Sequence, residues 1–293
     1  MIIIKYFPKK INNRISSPSE TLELPKPQEP LILKLPYKDI WQEPSVNIYI
    51  ITDQDFKNNV ITNHAYKILC DQRTQLTLNY SLEIIETNRE DNIIYPKKNG
   101  YAEGAKIYSI WKLYKEGYIK SKYVGFVHYG RVFPFKNDIP YLDEIFKNYD
   151  VIIKDKYKFS SSIYRQYETF HIGHFLDDTI EIIKDLYPEY YDDAKNFLNK
   201  NWGNFCNIFI AKKEDFIKWG EFVFGVLLEF DRRYNLTTDD DIKNLLIKES
   251  KEAETKFDID YQIRIQGFLM ERIGNIFYDH HWKKRYELRT VDI

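Results

Sequence analysis

Cysteine is nearly missing from this chain: Cys70 and Cys206 are the only two in 293 residues. They stand far apart with no Cys-x-x-Cys pairing, which argues against a disulfide scaffold or a thiolate metal knuckle and leaves two free thiols in a reducing cytosol as the expectation. A charge of one sign is missing too, since 43 Lys and Arg face 44 Asp and Glu, so no global field points to nucleic acid. No window reaches the ~18 consecutive apolar residues that a membrane span requires. The opening Met1-Ile-Ile-Ile run gives way at once to Lys5 and is too short for the core of a secretion signal. A glycine-rich, phosphate-cradling loop is also lacking, which argues against a nucleotidyltransferase. These absences together predict a soluble, cytoplasmic protein.

What is present is an apolar content of 43%, rich in Tyr and Phe, enough for a sizeable core whose many hydroxyls each need a partner. Seven of the eleven prolines fall within residues 1–45. Spacing as close as Pro25, Pro27 and Pro30 forbids a regular helix and disfavours a central strand, so 1–45 is expected to be a proline-rich arm or linker preceding a folded domain over 46–293.

The densest polar chemistry follows the run Tyr123-Val-Gly-Phe-Val127, which reads as a strand buried on both faces. His128, Tyr129 and Arg131 come directly after it, where ligands bind in open α/β sheets. The alternative is an imidazole and a phenol that merely cap a core strand. Before it, Val46 to Thr52 reads as a strand ending at Asp53-Gln-Asp55, His64 to Asp71 as a helix, Leu82 to Thr87 as a strand, Asp91 to Gly100 as a polar loop and Tyr101 to Glu116 as an amphipathic helix. Strand, helix, strand is the crossover grammar of a mostly parallel sheet flanked by helices.

After it, the pattern predicts a short helix over Ile139 to Asn148, a strand over Asp150 to Lys154 and an active-site loop over Lys156 to Phe170. Helices over Phe175 to Leu186 and Glu189 to Asn199 come next, then a buried strand over Gly203 to Ala211 and a long apolar helix over Glu214 to Tyr234. A charged helix over Thr237 to Glu254, a last helix over Tyr261 to Phe277 and a basic, aromatic tail from His280 to Tyr286 complete the chain.

Arg131 offers a permanently charged fork suited to phosphate oxygens, and His128 can add a further hydrogen bond. Asp53-Gln-Asp55, Asp258-Ile-Asp260 and Asp239-Asp-Asp241 have the spacing of metal-binding carboxylates, but such spacing arises by chance in a chain this charged. For Asp53 and Asp55 a nucleotide base or ribose is the expected partner. Metal dependence stays open, magnesium or manganese being the ions such a site would take. His171 and His174 lack a third zinc ligand at a recognisable offset. Acid–base work on an acceptor hydroxyl is the better use for His171, Asp177 and Asp178, against the alternative that the two aspartates are ordinary partners of a helix dipole. Asn207, His174 and Arg264, with Glu271 and Arg272, read either as acceptor contacts or as internal hydrogen bonds and salt bridges. The tail could rest on an anionic membrane surface through its Lys, Arg and Trp, or simply be a solvated end.

Tyr123 to Phe133 resembles the "G-L/F-x-H-Y-R-R-Y/F" signature of the DUF4422 family of capsular and exopolysaccharide biosynthesis proteins. Three further stretches agree in family order: Glu103 to Lys112, ending Ile-Tyr-Ser-Ile-Trp-Lys; Asn204-Phe-Cys-Asn-Ile-Phe-Ile-Ala211; and Arg264-Ile-Gln-Gly-Phe-Leu-Met-Glu-Arg272. Gly130 departs from the pattern, standing where the family has the first of two arginines. The resemblance implies a GT-A-like α/β fold of nucleotide-diphospho-sugar transferases. It further implies transfer of a sugar, with galactofuranose as one option, from a nucleotide-diphosphate donor to a glycan or lipid-linked glycan acceptor in capsule or surface polysaccharide assembly, at the inner face of the membrane. It carries His128, Tyr129 and Arg131 to the donor site. The alternative is a non-catalytic glycan-binding or assembly protein on the same fold.

Overall fold

The structure, a computed structural model, describes residues 45–292 except 57–60, 62, 73–75, 77–81, 88–91, 136–137 and 253–257. The proline-rich arm expected over 1–45 therefore lies almost wholly outside the described residues.

Seven strands form the main sheet: β1 (Val46–Ile51), β2 (Tyr66–Cys70), β3 (Glu83–Glu86), β4 (Tyr123–His128), β6 (Val151–Lys154), β9 (Phe209–Lys212) and β10 (Arg285–Leu288). Their order is β3-β2-β1-β4-β9-β6-β10. Pairing is parallel from β3 through β4 and between β6 and β10, while β9 runs antiparallel to both its neighbours. Six strands thus point the same way, and β9 alone begins at the edge where they end. Two short strands, β5 (Arg131–Val132) and β11 (Val291–Asp292), pair with each other, and β5 folds back on β4. A separate ribbon pairs β7 (Tyr157–Lys158) with β8 (Trp202–Gly203).

The alternation of side chains along the strands divides the core in two. Tyr49, Ile51, Val124, Phe126, Ile153, Phe209 and Ala211 face a thick helical layer. In chain order its helices are α1 (Lys98–Tyr101) and α2 (Glu103–Lys115), then, after α3 on the other face, α4 (Ile163–Phe170), α5 (Gly173–Leu186), α6 (Tyr191–Asn199), α7 (Lys213–Tyr234), α8 (Asp239–Glu252), α9 (Ile259–Gln262) and α10 (Ile265–His280). Ile48, Ile50, Ile68, Val127, Ile152 and Ile210 face the other way, onto Phe133 and the short helix α3 (Leu142–Ile145). Helix α7 buries Phe216, Trp219, Phe222, Val223, Val226, Leu227 and Phe230, as its apolar circumference requires, and ends where Asn235 takes the left-handed conformation at φ 54°. Gly125 in β4 lets β9 close in, because a Cβ there would lie 2.7 Å from Ile210 Cγ1.

Four expectations need correction. Tyr66 to Cys70 is a strand, not a helix: its five residues lie between β1 and β3, and a short apolar run reads the same in either geometry. Within the expected loop 156–170, residues 163–170 form α4, with Ser162 Oγ accepting the Arg165 N–H at 3.2 Å as its N-cap and Ile163 and Tyr167 buried one turn apart. The expected strand 203–211 is broken by Cys206 and Asn207 at φ 77° and 48°. The basic tail is not a free end: Trp282 is 1% exposed and stacks on Tyr278, and Arg285–Leu288 is the sheet's edge strand β10. Its indole is therefore not available to a membrane surface. Among the described residues no helix is long and apolar enough to cross a membrane.

Candidate active site

Polar side chains gather at the edge where β1, β2, β4 and β6 end and β9 begins. At the β1–β2 end, Lys106 of α2 extends its ammonium between two carboxylates, 2.8 Å from Asp53 Oδ1 and 3.1 Å from Asp71 Oδ1. Lys98 Nζ approaches Asp71 Oδ2 at 3.0 Å. Burial opposes the charge on Asp71, but the two ammonium groups outweigh it and hold its carboxyl below the usual range. Lys106 is sealed at 3% exposure, whereas the Asp53 side chain is 55% exposed, so this cluster has one open carboxylate.

At the β4–β9 junction, His128 Nε2 lies 2.7 Å from the carbonyl oxygen of Cys206. A carbonyl can only accept, so Nε2 carries the proton and Nδ1 is the nitrogen left for another partner. Arg131 donates to Cys206 Sγ at 3.7 Å, and no carboxylate pairs with its guanidinium among the described residues. His128, Tyr129 and Arg131 are all half-buried, neither sealed in hydrocarbon nor fully in solvent. Tyr129 lies tilted against Phe56, and burial raises its phenol.

The Cys206–Asn207 turn is strained, because two consecutive side-chain-bearing residues at positive φ cost on the order of 1–3 kcal/mol each. Two acidic residues hold it: Glu271 Oε1 accepts the Cys206 N–H at 3.0 Å, and Glu103 Oε1 accepts from Asn207 Nδ2 at 3.1 Å. Burial raises the Glu271 carboxyl above its usual range against the pull of Arg272, and neighbouring Glu103 adds to the rise. Burial and Glu271 push the Cys206 thiol up to about 12, so it stays protonated and is no nucleophile at neutral pH. Arg272 is itself buried, donating to Glu271 Oε2 at 3.1 Å and to Gln166 Oε1 at 2.6 Å, with its guanidinium over the rings of Tyr167 and Phe205.

The structure thus brings together His128, Arg131, Asn207, Glu271 and Arg272, with Asp53 farther along the same edge. Asp177, Asp178, His171 and His174 sit in the helical layer instead. Asp177 accepts from Tyr164 and Asp178 from Tyr234. His171 is buried against Tyr167 and Phe268 with Nδ1 3.0 Å from Gln262 Oε1, and burial lowers its pKa to about 3. His174 points outward to Glu249 at 3.3 Å, so the two histidines do not share a ligand face. Arg264 stacks on Tyr261 at 4.6 Å.

The carboxylate runs do not fit a divalent metal. Asp53 is neutralised by Lys106, Asp258 caps α9, and Asp239 and Asp241 accept backbone N–H groups at the starts of α1 and α8. No three His, Cys, Asp or Glu side chains converge among the described residues. Sequence reasoning missed Glu103, Lys106 and Asp71. Glu103 and Lys106 look like the polar stripe of an amphipathic helix, and only their place in a family-like stretch singles them out.

A mostly parallel sheet flanked by helices, with its polar cluster at the carboxyl edge, is an open α/β fold, and its likeness to a solved glycosyltransferase structure makes it GT-A-like. Residues 47–247 match the family described as "Domain of unknown function (DUF4422)", and the chain belongs to that family. Among solved structures it is similar to the WbbM bifunctional glycosyltransferase in its apo form, at 20% identity and a TM-score of 0.61, covering 85% of this chain. The match spans 45% of WbbM's length. A weaker likeness, at 12% identity and a TM-score of 0.32, is to core-mannan synthase A from Aspergillus fumigatus in its Mn/GDP form, covering 83% of this chain and 72% of that one. No curated protein matches by sequence.

Proposed function

We propose that this chain is a glycosyltransferase that moves a hexosyl unit from a nucleoside diphosphate to a saccharide acceptor in capsule or surface polysaccharide assembly. The observation that carries the reading is the pair His128 and Arg131, half-exposed past the end of a buried central strand, with the guanidinium and one imidazole nitrogen left to bind phosphate. The nucleoside lies along the β1–β2 end, where the open carboxylate of Asp53 accepts from ribose hydroxyls or the base. UDP-galactofuranose is the first donor to test, and cytoplasmic action at the inner face of the membrane follows from such a donor meeting a lipid-linked acceptor.

In this mechanism Glu271 is the general base, in preference to Asp177 or Asp178, because it lies in the His128 cluster and burial raises its carboxyl above the usual range. It takes the proton of the acceptor hydroxyl as the acceptor oxygen bonds to the anomeric carbon. The bond from that carbon to the phosphate oxygen breaks, and its electron pair leaves with the diphosphate, whose charge His128 and Arg131 offset. Direct displacement inverts the anomeric centre.

The test is thermal unfolding with uridine diphosphate and a panel of nucleotide sugars. Stabilisation by uridine diphosphate that Arg131→Ala abolishes is the expected result. Undiminished stabilisation of Arg131→Ala removes the donor role, and stabilisation by oligosaccharides alone favours the binding-protein reading to which Gly130 lends weight.

A further inference from the structure

A second polar cleft, of about 350 Å³, is lined by Lys156, Trp202, Asp279, Lys283, Arg285 and Glu287. Strands β6 and β10 run in the direction of β4, so Lys156, two residues past β6, and Glu287, near the end of β10, lie toward the same sheet edge as His128. Trp202 lies four positions before Cys206, whose carbonyl holds His128, so the two α-carbons are at most about 14 Å apart. The cleft runs along the edge strand β10 from Lys283 and Arg285 at its start, and its Lys156 and Glu287 end lies toward the proposed site, on the side away from Asp53 and β2.

Its charges do not balance. Asp279 is already claimed twice, by Arg285 at 2.6 Å and by Lys200 at 2.8 Å. Glu287 meets Lys156 only at 3.6 Å, and Lys283 has neither ion pair nor hydrogen bond among the described residues. Two carboxylates thus face three lining cations, and one of the two also serves Lys200 from outside the cleft. The half-buried Trp202 ring holds Lys156 Nζ at 5.0 Å and Lys200 Nζ at 4.7 Å from its centroid. Ammonium groups placed by an aromatic ring and left incompletely neutralised favour an incoming anion.

We propose that this cleft is an acceptor subsite for a negatively charged saccharide, binding the carboxylate or phosphate that the sugar carries. The inference rests on the glycosyltransferase reading and adds to it that the acceptor is anionic.

The test titrates the full-length protein calorimetrically with glucuronate, glucose 1-phosphate and neutral glucose, each with excess uridine diphosphate so that the donor end is filled. At least one anionic sugar is expected to bind while glucose does not, and Lys156→Ala combined with Lys283→Ala weakens that binding at least ten-fold. Glucuronate alone identifies a carboxylate subsite, and glucose 1-phosphate alone a phosphate subsite. Equal binding by the double variant, equal binding of glucose, or no binding of either anion overturns the proposal. Stabilisation by uridine diphosphate, read separately, reports on the donor end: its presence without anion binding sinks only this inference, and its absence with anion binding sinks the donor reading instead.

Discussion

Two lysine–carboxylate clusters stand on either side of α1 and serve different ends. Lys97 pairs with Asp231 under the helical layer, both nearly sealed, and Asp231 also accepts from Tyr101 Oη and Gln266 Nε2 at 2.7 Å each. Lys106 pairs with Asp53 and Asp71 at the sheet's carboxyl edge, where Asp53 stays open to solvent. A sealed and saturated cluster has no group left for a ligand and fixes how α1, α7 and α10 pack. A cluster with one open carboxylate can exchange a partner, which is what a binding site needs. Burial of a charge alone therefore does not mark function here.

The sharpest way to break this contrast is to remove one carboxylate from each. Asp231→Ala leaves a buried ammonium without its counter-charge, holding only the Leu236 carbonyl, and a phenol and an amide without their acceptor, and is expected to cost about 3–5 kcal/mol in denaturant unfolding. Asp53→Ala leaves Lys106 its second partner, Asp71, and is expected to cost about 1 kcal/mol or less while weakening stabilisation by uridine diphosphate. Equal losses from the two would erase the distinction.

His171 extends the contrast to pH. It is 4% exposed, and burial, with Arg272 nearby, lowers its pKa to about 3, below the unfolded value near 6.5. The unfolded chain therefore binds more protons across that window. This contribution is complete above about pH 6.5 and is lost as pH falls toward 3, at roughly 1.4 kcal/mol per pH unit at most. His171→Phe is expected to flatten the stability profile between pH 6 and 4 relative to the parent. Parallel profiles would show that the imidazole is not held neutral in the core.

Packing supplies the next effect. At Gly220 of α7 a Cβ would lie 2.1 Å from Trp111 Cδ1, and that indole is pinned by its hydrogen bond to the Ile217 carbonyl at 2.9 Å. Gly220→Ala gains up to about 1 kcal/mol of helix propensity but overpacks at a cost of about 1–3 kcal/mol, so a net loss in melting temperature is expected.

How much of this was legible depends on period and length. The long helices α5 and α7 repeat an apolar stripe over several turns, and β1 and β4 are flanked by clear polar breaks. Their place in the sheet followed. Tyr66 to Cys70 was misread because five residues, four of them apolar, carry no decisive period, and α4 because its only signal is one capping Ser162 ahead of Ile163 and Tyr167. At the candidate site, His128 and Arg131 were readable as polar residues just past a buried strand. Glu103 and Lys106 were not, since their partners Asn207 and Asp71 are brought to them only when β9 and β2 join the sheet.

Gly130 gives the smallest effect on stability and a direct probe of the open edge. It lies in the turn between β4 and β5, and a Cβ there would meet nothing within 4 Å. The family pattern that Tyr123 to Phe133 resembles has an arginine at this position, and a side chain can leave the backbone here without a clash at its Cβ. Gly130→Arg is therefore expected to stay within about 0.5 kcal/mol of the parent, as surface changes away from packed features do. The added guanidinium, one residue from Arg131, offers a further fork to a diphosphate and should tighten uridine diphosphate binding several-fold at low salt, with the gain fading as salt screens it. An unchanged affinity would mean that the phosphates do not lie over this turn, and the donor would then have to be placed on the Asp53 side alone.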